Sequence, residues 1–177
     1  MKTLVTLFAL VSLGCEDKLG YCDTDFGYDI LPLRIDAACS DLDTQVIVEG
    51  VERLNDWANR HVCQDMIDLQ EGFYDVDHED SYTPDEFIVC YYGKPEWFTG
   101  GKLGTGGWHT KVRLFLYRIP EATFNYRLAL VMHELGHYIG LQHADPPAIM
   151  HVGPDSQITH FTGKDTEKLC DTYECAQ

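Results

Sequence analysis

The sequence predicts one α+β domain, built on a mixed, twisted β-sheet that is covered by helices. Its length of 177 residues suffices for one domain with a substantial core and is too short for two. The predicted elements follow one another in the order strand, helix, three strands, helix. Two of the segments are long and have apolar residues at helical spacing, so each can cover a sheet with its apolar side.

Residues 1–14 have the pattern of a signal peptide. Lys2 is the basic residue of the segment, and the mostly apolar run 4–13 follows it. This run is too short to span a bilayer as a helix, and no second run of about 18 apolar residues follows. We therefore expect export from the cytoplasm, a tether or lead-in over 15–29, and a folded domain over 30–177.

Two kinds of cleavage fit the end of this signal peptide. Gly14-Cys15 resembles the end of a bacterial lipobox, which would place a lipid on Cys15, whereas Ser12 and Gly14 also fit ordinary signal-peptidase cleavage and secretion. We favour lipidation because the chain has seven cysteines, and removing Cys15 leaves an even number suited to disulfides in an oxidising compartment. The six remaining cysteines are Cys22, Cys39, Cys63, Cys90, Cys170 and Cys175. The sequence does not choose among their pairings.

The first predicted elements of the folded domain are a strand and a long helix. Alternating apolar residues predict the strand over 30–35. Apolar residues at helical spacing predict the helix from about Asp43 to Cys63, and Asp41, Asp43 or Thr44 can supply its N-cap.

Two further strands are predicted next, a short one over 66–69 and a stronger one over 87–92, which is rich in aromatic and β-branched residues. The acidic loop 75–80 between them offers ligands for Ca²⁺ or Zn²⁺. It lacks the glycine and the acidic spacing of an EF-hand loop, so calcium remains an alternative that we do not predict. The glycine-rich connection 100–107 matches no phosphate-binding fingerprint, which argues against nucleotide binding.

The last elements are a strand and two helices. Alternation predicts a strand over 111–119, which Pro120 ends. A helix with an apolar flank is expected from about 123–125 to 139. Thr162 to Asp165 has the pattern of a capping box and predicts a final helix through Tyr173.

The segment 133–143, with the sequence HELGHYIGLQH, contains the residues most suited to chemistry. Residues four apart on a helix lie on one face, about 6 Å apart, so His133 and His137 can bind one ion. Gly140 can adopt the positive φ that ends a helix, and the turn then brings back His143. Three neutral imidazoles leave the fourth tetrahedral position of Zn²⁺ for water, which is typical of a catalytic site.

This segment resembles the HExxHxxGxxH signature of the metzincin metalloproteases, and Ala148-Ile149-Met150 resembles their Met-turn. Within that clan the chain is most similar to the matrixins. The resemblance implies a metzincin-like fold with a long active-site helix, a Met-turn and a C-terminal helix. It also implies that Glu134 is the general base and acid and that Met150 forms a hydrophobic floor beneath the metal. The implied zinc ligands are His133, His137 and His143.

The sequence departs from this family in two places. The link between His143 and Met150 contains Pro146 and Pro147 and is tighter than in most of the clan. Val152 stands where astacin-like members carry a tyrosine, so those enzymes are a poorer match.

These observations predict an exported zinc metalloendopeptidase, secreted or anchored in the cell envelope by a lipid on Cys15. We expect a monomer whose partners are protein or peptide substrates, bound as an added strand near 100–111. A nucleic-acid partner is excluded because the net charge is −16 and the 13 Lys and Arg residues are scattered.

Two alternatives remain open. The first is a zinc-holding, catalytically inactive envelope lipoprotein that acts as a binding module. Glu134 argues against it, because a carboxylate that does not bind the metal is not needed to hold it. The second is a structural envelope lipoprotein without zinc.

Overall fold

A computed structural model describes residues 29–78, 86–99, 102–106, 111–119, 121–152, 157–173 and 175. The predicted signal peptide, Cys15, Cys22 and nearly all of the tether lie outside these ranges. Within them, no helix is both long enough and apolar enough to span a membrane.

Five strands of the described chain form one sheet in the order β2-β1-β3-β5-β4. Their bounds are β1 Leu31–Asp36, β2 Ile67–Tyr74, β3 Phe87–Cys90, β4 Gly104–Thr105 and β5 Val112–Leu114. The β1–β2, β1–β3 and β3–β5 pairs are parallel, whereas β4 runs antiparallel to β5. The sheet is therefore mixed, as predicted, and its short antiparallel strand lies at one edge.

Three α-helices of the described chain accompany the sheet: α1 Asp41–Val62, α2 Phe124–Tyr138 and α3 Gly163–Thr172. Ser40 caps α1, because its hydroxyl accepts the backbone N–H of Asp43 at 3.2 Å. The N-cap predicted at Asp41, Asp43 or Thr44 is therefore wrong. The Asp43 carboxylate is instead buried, where it accepts hydrogen bonds from the Tyr92 hydroxyl and the Arg127 guanidinium.

Helices α1 and α2 pack together over one face of the sheet and enclose the main core. A Cβ at Gly50 would lie 2.8 Å from Cγ1 of Val131, so a glycine is required where the two helices approach each other. Strand β3 alternates between two apolar clusters, as a strand with both faces covered must. Ile88 faces the main core, whereas Phe87 and Val89 belong to a second, aromatic cluster on the other face.

The strand predicted over 111–119 is wrong in its second half. Strand β5 ends at Leu114, and a 3₁₀ turn follows over Leu116–Arg118. Leu114 and Leu116 belong to the main core and Phe115 to the aromatic cluster, so the predicted alternation of faces is kept although the backbone turns after Leu114. Strand β2 extends well beyond the predicted 66–69, because it pairs with β1 along its length while leaving many of its side chains exposed.

Two disulfides join described cysteines, Cys39 to Cys90 and Cys170 to Cys175. The first connects the segment before α1 to the end of β3, and the second joins the last turn of α3 to Cys175. Cys63 is also disulfide-bonded. Disulfides of this kind are typical of an oxidising compartment.

Candidate metal centre

Helix α2 presents His133 and His137 from one of its faces. Thr123 caps the helix by accepting the N–H of Tyr126 at 3.3 Å, in agreement with the predicted start. The helix is buried continuously from Arg127 to Gly136, so its polar residues project into the interior and not into solvent. Only 6% of His133 is exposed.

Gly140 returns the chain to the helix, as the sequence predicts. Its φ is +92°, a conformation that favours glycine. The turn is held by the Leu141 N–H, which donates to the Gly136 carbonyl at 2.9 Å. The chain then places the His143 ring 4.8 Å from the His137 ring and 5.3 Å from the His133 ring, measured between centroids. Nitrogen atoms from the three histidines lie within 4.8 Å of one another, a group that could hold a metal ion.

Backbone carbonyls orient two of these imidazoles. The Nδ1 atoms of His133 and His137 lie 2.8 Å from the carbonyl oxygens of Ile149 and Leu141, respectively. A carbonyl only accepts hydrogen bonds, so each Nδ1 carries the proton and donates it. The Nε2 lone pair of each neutral ring is then available to a metal.

The spacing of the nitrogens fits a zinc ion. His137 Nε2 and His143 Nε2 are 3.1 Å apart. Two ligands at about 2.05 Å from a tetrahedral zinc ion would be separated by about 3.3 Å. The donor set and its spacing are therefore suited to zinc.

Burial keeps the imidazoles in the form that binds metals. Desolvation lowers the pKa of His133 to about 4, despite the opposing hydrogen bond to Ile149. Desolvation also lowers the pKa of His137, and the neighbouring His143 and Lys102 add to the effect. Both rings are thus neutral at pH 7 before any metal binds.

Glu134 lies beside the histidines and faces the edge strand β4. Its carboxyl accepts the backbone N–H of Gly106, and the residue is only 5% exposed. Burial raises the pKa of Glu134 to about 7, although Lys102 and the Gly106 N–H oppose the shift. A carboxyl of this kind can take up and release a proton near neutral pH.

Gly104 in β4 and Gly106 directly after this strand leave room for Glu134. A Cβ at Gly104 would lie 2.5 Å from Oε1 of Glu134, and a Cβ at Gly106 would lie 2.4 Å from the Glu134 carbonyl oxygen. The sequence predicted a glycine-rich connection here and substrate binding near 100–111, but not the close packing of Glu134 against these glycines. The available signal was the glycine at every second position, which on a strand places both on one face.

The turn after His143 packs directly beneath α2. A Cβ at Gly136 would lie 2.2 Å from Sδ of Met150, so the helix and the methionine are in tight contact. The buried Asp165 carboxylate accepts the backbone N–H groups of Ile149 and Met150 at 3.1 and 2.9 Å. Asp165 belongs to the predicted capping box of α3, which is observed. Its second role, holding this turn, could not be read from the sequence.

A cleft of about 360 Å³ opens over these residues. Glu134 and the three histidines line it, with Lys102 and Thr105 contributed by the β4 side and Val152 by the segment after Met150. Val152 is 66% exposed. The cleft therefore has a polar, titratable floor and open walls.

Comparison with known proteins finds similar chains among the solved structures. No family model matches the chain, and no curated protein matches it. Among solved structures, the chain is similar to the archaemetzincin of Methanopyrus kandleri. The identity is 14%, the TM-score is 0.48, and the likeness covers 80% of this chain and 94% of that one. At this identity a likeness does not indicate substrate or activity.

The other candidate metal ligands are placed elsewhere. In the described ranges, His133, His137 and His143 form the one group of three or more such side chains that could hold an ion. His78, from the acidic loop, contacts Asp36 with 2.8 Å between Nε2 and Oδ2. Glu79 and Asp80 lie outside the described residues, so calcium in this loop remains an untested alternative.

Proposed function

We propose that this chain is a zinc-dependent metalloendopeptidase. One observation carries the proposal: three imidazoles converge at the floor of an open cleft, next to the buried carboxyl of Glu134. Holding a metal requires the imidazoles alone. The additional carboxyl, with a pKa near neutrality, supports proton transfer and therefore catalysis.

The residues that would hold the zinc ion are His133, His137 and His143, through the nitrogens that face one another. Bound zinc supplies a Lewis acid that polarises the scissile carbonyl and makes water nucleophilic near neutral pH. The carbonyl groups of Ile149 and Leu141 keep the first two rings in the ligating tautomer.

Glu134 would move the proton. Its carboxyl accepts a proton from the attacking water and then returns it to the leaving amine, so that peptide-bond hydrolysis consumes no net acid or base. The Gly106 N–H fixes the orientation of the carboxyl, and burial keeps its affinity for protons high enough for the second transfer.

Substrate would bind in an extended conformation along β4. Two observations support this. The strand lies at the edge of the sheet, and Thr105 and Gly106 line the cleft beside Glu134.

Added strands obtain affinity from backbone hydrogen bonds, so N-methylation of alternate substrate amides should raise KM several-fold while methylation of the intervening amides has little effect. Equal effects at all positions would contradict this mode of binding.

We further propose export and attachment to the envelope through Cys15, or secretion if Cys15 is removed with the signal peptide. The two disulfides support an oxidising location. We also propose that residues 30–177 form a single domain and that the protein acts as a monomer. The matrixin-like subtype rests on the sequence motif, as does the role of Met150 as a floor beneath the metal.

The experiment that tests the activity joins metal analysis with peptide cleavage. The purified protein should contain one zinc per chain and cleave a proteome-derived peptide mixture. A chelator should abolish cleavage, and added Zn²⁺ should restore it. Stoichiometric zinc without cleavage would favour the binding-module alternative, and absence of zinc would favour the structural lipoprotein.

A further inference from the structure

Lys102 is a cation in the cleft that the proposed mechanism does not use. It lies two residues before β4 and lines the same cleft as Glu134 and His137. Its charge acts on both of these residues, since it opposes protonation of each. Within the described chain it is the one lysine or arginine among the residues lining this cleft.

Contacts among the described residues give this side chain no structural role. Lys102 is exposed, and the ion pairs of the described residues do not include it. Lysines that serve solubility are spread over a surface, whereas this one lies at the mouth of a concave site in a chain with a net charge of −16. A cation in that position is available to an anionic group of a bound ligand.

We propose that Lys102 determines specificity by binding a carboxylate of the peptide substrate. The inference rests on the proposed function. The carboxylate can be an acidic side chain near the scissile bond or the C-terminal carboxylate of a short peptide, and the chemistry of recognition is the same for both. Lys102 is thus a binding residue for one substrate position, distinct from the residues that carry out the hydrolysis.

The charge of the whole protein makes this inference testable. A chain with charge −16 repels acidic peptides as a class. Lys102 acts only over a distance comparable to the screening length, about 8 Å at physiological ionic strength. Its contribution should therefore depend on where the carboxylate stands in the peptide, and not on the net charge of the peptide.

The experiment uses zinc-loaded, full-length protein and peptides of identical composition in which one glutamate is moved along the sequence. Each peptide is made with a free C-terminal carboxylate and as the amide. We expect kcat/KM to be about fivefold higher when a carboxylate stands at the favoured position, as for a partly exposed ion pair. Loss of the preference in the amides identifies the C-terminal carboxylate, and retention identifies the side chain.

Four variants identify the residue responsible. Lys102→Ala should reduce the preference to about one, Lys102→Arg should retain it, and Lys102→Glu should reverse it. Lys94→Ala is the matched control, since Lys94 is an exposed lysine that does not line the cleft. Because Lys102 also acts on Glu134, all of its variants can change turnover, but a ratio between matched peptides cancels that effect.

The results separate this inference from the proposed function. Cleavage with no positional preference, or with a preference that Lys102→Ala leaves intact, overturns the inference while the peptidase assignment stands. If no peptide is cleaved, the peptidase assignment fails. Equilibrium binding of the same peptides then tests whether Lys102 binds a carboxylate of the peptide. Equal affinities for all glutamate positions in wild type and Lys102→Ala would then overturn the inference.

Discussion

At the scale of single residues, burial sets the protonation of the side chains that form the site. Glu134 and His133 are 5% and 6% exposed, and desolvation moves their pKa values in opposite directions, up for the acid and down for the base. Both shifts favour the neutral form. The result is a carboxyl that can exchange protons near pH 7 beside imidazoles that are free to bind a metal.

The contrast between two alanine variants tests these assignments. Glu134→Ala should keep stoichiometric zinc and the native fold but lose at least about a hundredfold in kcat, because general acid–base groups contribute about 10²–10⁴. His137→Ala should lose zinc and activity together, with partial recovery in excess Zn²⁺. Zinc content and turnover are measured on the same preparations. Near-normal turnover in Glu134→Ala, or loss of its zinc, would show that the assigned role is wrong.

Gly104 offers a second test, because it sets the position of Glu134 without taking part in the chemistry. In Gly104→Ala the new Cβ would lie 2.5 Å from Oε1 of Glu134, and the buried carboxyl must move. Displacement of a catalytic group by about 1 Å can cost about a hundredfold, so we expect kcat to fall tenfold to a hundredfold while zinc stays bound. Gly93→Ala is the control, since nothing lies within 4 Å of its Cβ. Equal kinetics in the two variants would refute the positioning role.

At the scale of elements, the C-terminal helix supports a site that it does not line. Asp165, at the start of α3, accepts backbone N–H groups from Ile149, Met150 and Thr162, and none of its surface is exposed. The Ile149 carbonyl in turn orients His133. The capping carboxylate of one helix is thereby connected to a candidate metal ligand on another.

Removal of that carboxylate should therefore affect both stability and metal binding. Asp165→Ala leaves three backbone donors without their acceptor, which should lower the free energy of unfolding by roughly 3 kcal/mol. It should also weaken zinc binding, because the turn that orients His133 loosens. Glu167→Ala on the same helix is the control, as its exposed carboxylate pairs with the exposed Lys164 at the surface. Denaturant melts and zinc titrations measure the two effects, and unchanged zinc affinity would disconnect α3 from the site.

At the scale of the whole molecule, the chain combines a strongly acidic surface with disulfides and a cleft that contains a single described cation. The surface charge favours solubility and repels polyanions. The disulfides are typical of an oxidising compartment.

Intact-mass measurement of the mature protein tests its predicted processing. We expect Cys15 to be the first residue and to carry acyl chains. We also expect the disulfides Cys39–Cys90 and Cys170–Cys175 to be formed. After reduction, the mass of the same sample should increase only by the two hydrogen atoms that each reduced disulfide takes up. A mature chain that has a free thiol at Cys15 and no acyl mass would contradict lipidation.

The sequence by itself determined the three helices, the approximate start of α2, the capping box of α3 and the convergence of three histidines. These features depend on short-range geometry: the helical repeat carries His133 and His137, and the positive φ of Gly140 brings back His143. The tertiary structure alone decided how Glu134 is buried, why Gly104 must lack a side chain, and which groups Asp165 and Lys102 face. Desolvation and close contact arise between segments far apart in the chain, so no local pattern of residues encodes them.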